Sequence, residues 1–149
     1  SGAKLTIFDE PYIGMDAVAR SQFCDILIEL YEKGNRTFIF STHLIDEASL
    51  LFEQVLVIKD GEIILQAEAD EMREEAFAVM GKKEEVESFI ADKTVLKKRV
   101  ISDSLMVAYL YDREAKQSVP STLQLDGVSL QDLMIYLTEM EEKSDVATS

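Results

Sequence analysis

Two periods of apolar and polar positions alternate along the chain. Leu5-Thr6-Ile7-Phe8 is an apolar run too short for a helix of ordinary length, rich in β-forming side chains, and it stops at Asp9-Glu10-Pro11. Such a run predicts a buried parallel strand, because a strand covered by helices on both faces of its sheet loses the alternation of a half-exposed one. Phe23, Ile26, Leu27, Leu30 and Tyr31 then recur at helical spacing, predicting a helix over residues 17–33 with Gly34 just past its end. Residues 37–41 predict a second strand, and strand, helix, strand in one sheet implies a right-handed crossover between parallel neighbours. Both carboxyl ends then share one edge, where ligands bind in such folds, so Glu10 and His43 are expected to face one ligand.

The remaining pattern predicts a helix over residues 45–52, with Ile45, Ala48, Leu51 and Phe52 inward and Asp46-Glu47 at its positive end. A strand at 54–59, an Asp60-Gly61 turn and a strand at 62–65 read as a hairpin. The acidic stretch 68–75 predicts a short helix and linker, which puts a domain boundary near residue 75. Beyond it the expectation is a small α+β module over 76–142: strands at 77–80, 95–100, 105–111 and 123–127, and a helix at 83–91 with Val86, Phe89 and Ile90 inward. Ser129-x-x-Asp132 has the form of a capping box before a last helix, and residues 143–149 are expected to be a frayed tail. Tyr109 and Tyr111 sit at strand alternation, where core or surface strand positions are favoured over stacking groups in a ligand site.

With 149 residues, 47% of them hydrophobic, the chain has material for one ordinary domain or two small ones with a real core. Its net charge of −14 is spread over both halves, which argues against nucleic-acid binding through a broad basic face. Lys97-Lys98-Arg99 is the one local exception and reads as the solvated face of a strand or hairpin. The single cysteine, Cys24, lies in the helical pattern; no disulfide framework exists, and a reducing compartment is expected. No apolar run approaches the roughly 20 residues that span a bilayer and no secretory signal opens the sequence, so a membrane link is expected through a partner. Ser1-Gly2-Ala3 reads equally as a cloning remnant or a native loop.

Adjacent carboxylates after a buried strand can divide labour, one holding a metal ion while its neighbour orients or deprotonates a nucleophile. Asp-Glu-Pro alone also fits a solvated turn. The weight shifts because the second strand ends in Ser41-Thr42-His43, which holds the chain's single histidine. Together these residues resemble the ATP-hydrolysing domains of ABC transporters. Phe8-Asp9-Glu10-Pro11 is similar to the end of the Walker B strand, Gly14-Met15-Asp16 to the D-loop, and Ser41-Thr42-His43 to the switch-histidine loop, in family order and at about family spacing. Residues 57–64 extend the resemblance, which covers about 4–66.

The resemblance implies an α/β fold: an incomplete P-loop NTPase parallel sheet over residues 1–75, followed by the small α+β C-terminal module. It implies that Asp9 helps hold Mg2+, that Glu10 polarises the attacking water, and that His43 contacts the terminal phosphate of ATP. Gly14 and Asp16, in the D-loop-like turn, would couple two ATPase domains. The implied partners are a transmembrane permease subunit and a second ATPase subunit, with the protein peripheral on the cytoplasmic face of the cell membrane. Tyr12, Met15 and Ala17 depart from the family pattern without touching the carboxylates or the histidine. No Gly-x-x-x-x-Gly-Lys-Ser/Thr loop and no family signature sequence occurs. The expectation is therefore the C-terminal part of a longer protein that hydrolyses ATP to drive solute transport. The fragment itself should be inactive, and it should self-associate through apolar surface that the preceding strands would cover. The α+β module is expected, by analogy alone, to be regulatory or dimer-supporting. Two other readings stand beside this one: a non-catalytic regulatory protein built on an ATPase half-fold, and a soluble ATPase acting on ribosomes or DNA, which the acidity disfavours.

Overall fold

The parallel pair that opens the chain forms because two five-residue β-rich runs flank a helix long enough to carry the chain back between them. The computed structural model describes residues 3–148, and the side chains of these except 47, 141, 142 and 144–148. The suggested remnant at Ser1-Gly2 and the dipole role given to Glu47 thus lie outside the described residues, as do the side chains of most of the tail. The chain divides into two compact units, Ser1–Phe52 and Glu53–Ser149. The boundary expected near residue 75 falls inside the second unit, between a helix and the strand that follows it.

In the first unit, strand β1 (Leu5–Asp9) pairs in parallel with β2 (Thr37–Ser41), in the register Leu5 with Thr37 through Asp9 with Ser41. Helix α1 (Ala17–Glu32) connects them. It begins where Asp16 accepts a hydrogen bond from the Ala19 N–H at 2.8 Å and ends before Gly34, whose φ of 82° suits a residue without a Cβ. Phe23 of α1 stands edge-on to Phe8 of β1, ring centres 5.4 Å apart, so α1 covers the face carrying Thr6, Phe8, Phe38 and Phe40.

The opposite face corrects an expectation. Leu5, Ile7 and Ile39 are 50%, 68% and 51% exposed, so β1 and β2 are not buried on both sides. The physical reason is that this sheet has two strands among the described residues and one helix against it. Ile26 and Tyr31, expected to point inward, are exposed for the same reason, because a two-stranded sheet is too narrow to cover that much of α1. The helix expected over 45–52 is shorter: α2 spans Ile45–Ala48, and a 3-10 turn occupies Ser49–Leu51 with Leu50 92% exposed.

The second unit opens with a hairpin of β3 (Gln54–Lys59) and β4 (Glu62–Glu68). Asp60 and Gly61 both have positive φ, 51° and 83°, which is the two-residue turn whose twist matches the flanking strands. Helix α3 (Ala69–Glu75) follows. Next come β5 (Ala76–Lys82), α4 (Lys83–Ile90), β6 (Lys97–Val100), β7 (Leu105–Tyr111), α5 (Arg113–Gln117), β8 (Gln124–Gly127) and α6 (Leu130–Thr148). Residues 143–148 continue α6, so the tail expected to fray is helical up to Thr148. Helix α5 was not foreseen; Asp112 caps it by accepting from the Ala115 N–H at 3.0 Å.

Strands β6-β7-β5-β8 lie in that order, every neighbouring pair antiparallel. A β-α-β-β-α-β succession with its first and third strands central is the ferredoxin-like arrangement. Its core is Phe77, Val79, Met106, Ala108 and Leu110 from the sheet against Val86, Phe89 and Ile90 of α4, closed by Ala115 and Leu123. Tyr109 and Tyr136 pack at a tilt of 45° with ring centres 4.8 Å apart, so Tyr109 is a packing residue, and Lys97 pairs with Glu139 at 2.8 Å. Of the expected capping box the serine half is present, with Ser129 Oγ accepting from the Asp132 N–H at 3.1 Å.

Phe77 is fully buried at the centre of this core. Phe77→Ala is expected to cost about 3–5 kcal/mol in urea unfolding, whereas Leu50→Ala, at a solvent-facing position, should change stability by less than about 0.5 kcal/mol.

Candidate active site

Parallel register is what assembles the candidate site. Because Asp9 aligns with Ser41, the next residues, Glu10 on one side and Thr42-His43 on the other, leave the sheet at the same edge. The Glu10 N–H extends the ladder by one step, donating to the Ser41 carbonyl at 2.9 Å. Glu10 itself has φ of 44°, a left-handed conformation that costs a non-glycine residue about 1–2 kcal/mol. That turn swings its side chain toward the second loop, where Glu10 Oε1 lies 3.0 Å from His43 Nδ1. The contact is a hydrogen bond in which the ring N–H donates to the carboxylate. The His43 side chain is 68% exposed and that of Glu10 30%, so the imidazole faces solvent while the carboxylate is partly screened. The other oxygen, Glu10 Oε2, is buried and has no hydrogen-bond partner among the described residues. A buried carboxylate oxygen without a donor is costly.

Asp9 is tied to the same edge, since Ser41 Oγ donates to Asp9 Oδ1 and also accepts from the Glu10 N–H at 3.2 Å. Beyond Pro11 the chain turns twice, with Ile13 N–H donating to the Glu10 carbonyl and Met15 N–H to the Tyr12 carbonyl. Gly14 takes φ of 81° in this turn. Asp16 then spends a carboxylate oxygen on the first turn of α1. Thus Asp9, Glu10 and His43 come together through Ser41, whereas Gly14 and Asp16 form the turn that leads from the site into the helix. Tyr12, one of the departures from the family pattern, is fully buried. Its hydroxyl lies 2.8 Å from Cys24 Sγ and its ring stands edge-on to Phe23, anchoring the turn to α1.

Sequence reasoning missed the part played by Ser41, which it read only as a neighbour of the histidine. The signal was present in the equal lengths of the two strands, which end at Asp9 and Ser41. It also missed Asp16 as a helix cap, although aspartate before an apolar-periodic run is a standard start signal.

The donor set at this edge is hard: the two carboxylates of Asp9 and Glu10, oxygens of the kind that Mg2+ prefers. Among the described residues no group of three or more His, Cys, Asp or Glu side chains is placed to hold a metal ion. These residues therefore fit an ion that arrives with phosphate and water ligands and takes one or two protein oxygens, and they do not fit one caged by protein alone. Cavities of about 760 Å3 beside Lys4, Arg36 and Thr37 and about 630 Å3 beside Met80, Arg99 and Asp126 include none of Asp9, Glu10 and His43 in their walls.

A carboxylate pair and a histidine at the carboxyl edge of parallel strands is a class of site suited to polarising a water against a phosphoryl group. No protein-family model matches the chain. Among curated proteins it is 40% identical over 63 residues to the human phospholipid-transporting ATPase ABCA3, a match covering 42% of this chain and 4% of that protein. It is 41% identical over 59 residues to the aliphatic sulfonates import ATP-binding protein SsuB 1 of Paracoccus denitrificans, and 37% over 70 residues to SsuB 1 of Pseudomonas syringae pv. tomato. Those matches cover 40% and 47% of this chain and 24% of each relative. These relatives are ABC transporter ATPases and ATP-binding proteins, and the chain spans a quarter or less of their length.

The cap at Asp16 can be weighed directly. Asp16→Ala is expected to lower stability by about 1 kcal/mol in urea unfolding and Asp16→Asn to keep most of it, since the amide oxygen also accepts from Ala19.

Proposed function

We propose that the chain is the C-terminal part of the ATP-hydrolysing subunit of an ABC transporter. The observation that carries this reading is the 3.0 Å contact between Glu10 and His43 across the ends of two parallel strands, with Asp9 at the same edge. In this reading Glu10 accepts the proton of the attacking water. His43, held by Glu10 through Nδ1, keeps its other ring nitrogen for the terminal phosphate. Asp9 keeps one carboxylate oxygen beyond its bond to Ser41 for the metal. Mg2+ bound with ATP supplies neutralisation of the phosphate charge. Gly14 and Asp16 belong to the turn that meets a second ATPase subunit.

The exposed stripe of Leu5, Ile7 and Ile39 supports the same reading. In a doubly covered parallel sheet these side chains are interior, so the stripe fits a face that upstream segments of a longer protein cover. Residues 1–75 then belong to the ATPase domain, and the β-α-β-β-α-β module within 76–142 is an accessory unit whose role is regulatory or dimer-supporting. Among the described residues no helix is long and apolar enough to cross a membrane. In this reading the assembly reaches the membrane through a transmembrane permease subunit, on its cytoplasmic face.

Calorimetric titration with Mg-ATP, on this chain and on a longer one that restores a phosphate-binding loop, tests the reading. Only the longer chain should bind, because two acids and a histidine do not replace the backbone amides and lysine of that loop. In the longer chain Glu10→Gln should preserve binding and lower hydrolysis by about 100-fold or more. Tight binding by the short chain, or undiminished hydrolysis by Glu10→Gln, would count against it. Light scattering should find the short chain self-associating at high concentration, and a clean monomer there would contradict the covering role given to the Leu5, Ile7 and Ile39 face.

A further inference from the structure

We infer that Ser41 is a positioning residue that clamps both carboxylates of the site, and that its hydroxyl sets the orientation on which metal affinity and water activation depend. The inference rests on the functional reading above for its chemistry, but its geometry stands alone. Ser41 is the last residue of β2 and lies in register opposite Asp9. Its hydroxyl donates its one proton to Asp9 Oδ1 and accepts the Glu10 N–H at 3.2 Å, while its carbonyl accepts the same N–H at 2.9 Å. A hydroxyl has one donor and two acceptor positions, so it is suited to bridging an acceptor-only carboxylate and a backbone donor. Alanine would leave the carbonyl contact and remove both others.

Each bond has a separate consequence. The bond to Asp9 occupies Oδ1 and fixes the carboxylate, leaving the second oxygen presented in one direction. The bond to the Glu10 amide holds a residue whose φ of 44° is intrinsically unfavourable. Without it the Glu10 amide is held by the Ser41 carbonyl alone, which leaves the backbone freer to relax toward the ordinary region and to draw its side chain away from His43. Ser41 touches neither substrate nor water in this scheme; it acts through Asp9 and Glu10. Groups that orient a metal ligand in this way commonly change metal affinity or activity by about 10- to 100-fold when removed.

Three measurements test the clamp, with Ser41→Ala as the disrupting variant and Ser41→Thr, which keeps the hydroxyl, as the rescue. In the 149-residue chain, exchange of the Glu10 amide proton, followed by NMR, should be several-fold faster in Ser41→Ala and unchanged in Ser41→Thr. In the longer ATP-binding protein carrying Glu10→Gln to stop turnover, Mn2+ affinity in the presence of ATP, read by electron paramagnetic resonance, should fall about tenfold with Ser41→Ala and recover with Ser41→Thr. With Glu10 intact, kcat at saturating metal should fall by about tenfold or more in Ser41→Ala and not in Ser41→Thr. Unchanged amide exchange overturns the clamp whatever the protein's activity, and equal losses in both variants would make Ser41 a packing residue. If Glu10→Gln hydrolyses ATP normally, the functional reading fails. If Glu10→Gln is inactive and Ser41→Ala behaves as wild type, only the clamp fails.

Discussion

The parallel register of β1 and β2 is the constraint on which the site depends. Two five-residue strands aligned end to end bring Asp9 opposite Ser41, and every polar contact at the edge follows from that alignment. A slip of one residue would turn Asp9 to the other face of the sheet and withdraw the Ser41 hydroxyl from its carboxylate. The register is held by the covered face, where Phe8 packs edge-on against Phe23 and stacks at 6.4 Å on Phe38. The aromatic packing on one side thus fixes the polar geometry at the end. Tyr12, fully buried against Phe23 and Cys24, continues the same apolar layer and fastens the turn that follows Glu10.

Much of this was legible in the sequence because it is written in short-range patterns. Strands β2, β3 and β7 run over the residues that the apolar runs predicted, and α1 begins at the predicted Ala17. The Asp60-Gly61 turn and the Ser129 cap were readable because each is a local chemical requirement. What escaped was non-local. The exposure of Leu5, Ile7 and Ile39 depends on what else covers the sheet, and an apolar run alone does not carry that. The grouping of the β3-β4 hairpin with the later strands depends on tertiary packing rather than on the acidic linker-like stretch at 68–75. Helix α5 is only five residues long, too short for a period to register.

At the candidate site, the placing of the acids and the histidine at neighbouring strand ends was legible by type and spacing, whereas the contacts among them were not. The left-handed Glu10 is the clearest instance, since nothing in Asp-Glu-Pro announces a positive φ, and the residue is held by its amide on Ser41, the Ile13 N–H on its carbonyl and its contact with His43. Local strain held by hydrogen bonds at a carboxylate that reaches a histidine is a pattern of preorganisation, with the unfavourable conformation stabilised by the strand ends on either side. The second unit has a separate logic, a ferredoxin-like sheet with its own core around Phe77 and Leu110, and none of its residues is needed to assemble the carboxylate edge.

The most direct measurement is a crystal structure of the longer protein carrying Glu10→Gln with Mg-ATP bound. The account predicts the side chain at position 10 within hydrogen-bond reach, about 2.6–3.2 Å, of a water in line with the terminal phosphate, with Asp9 beside the metal and His43 on that phosphate. A nucleotide seated away from the carboxyl edge of β1 and β2, or Asp9 and His43 turned from its phosphates, would contradict it.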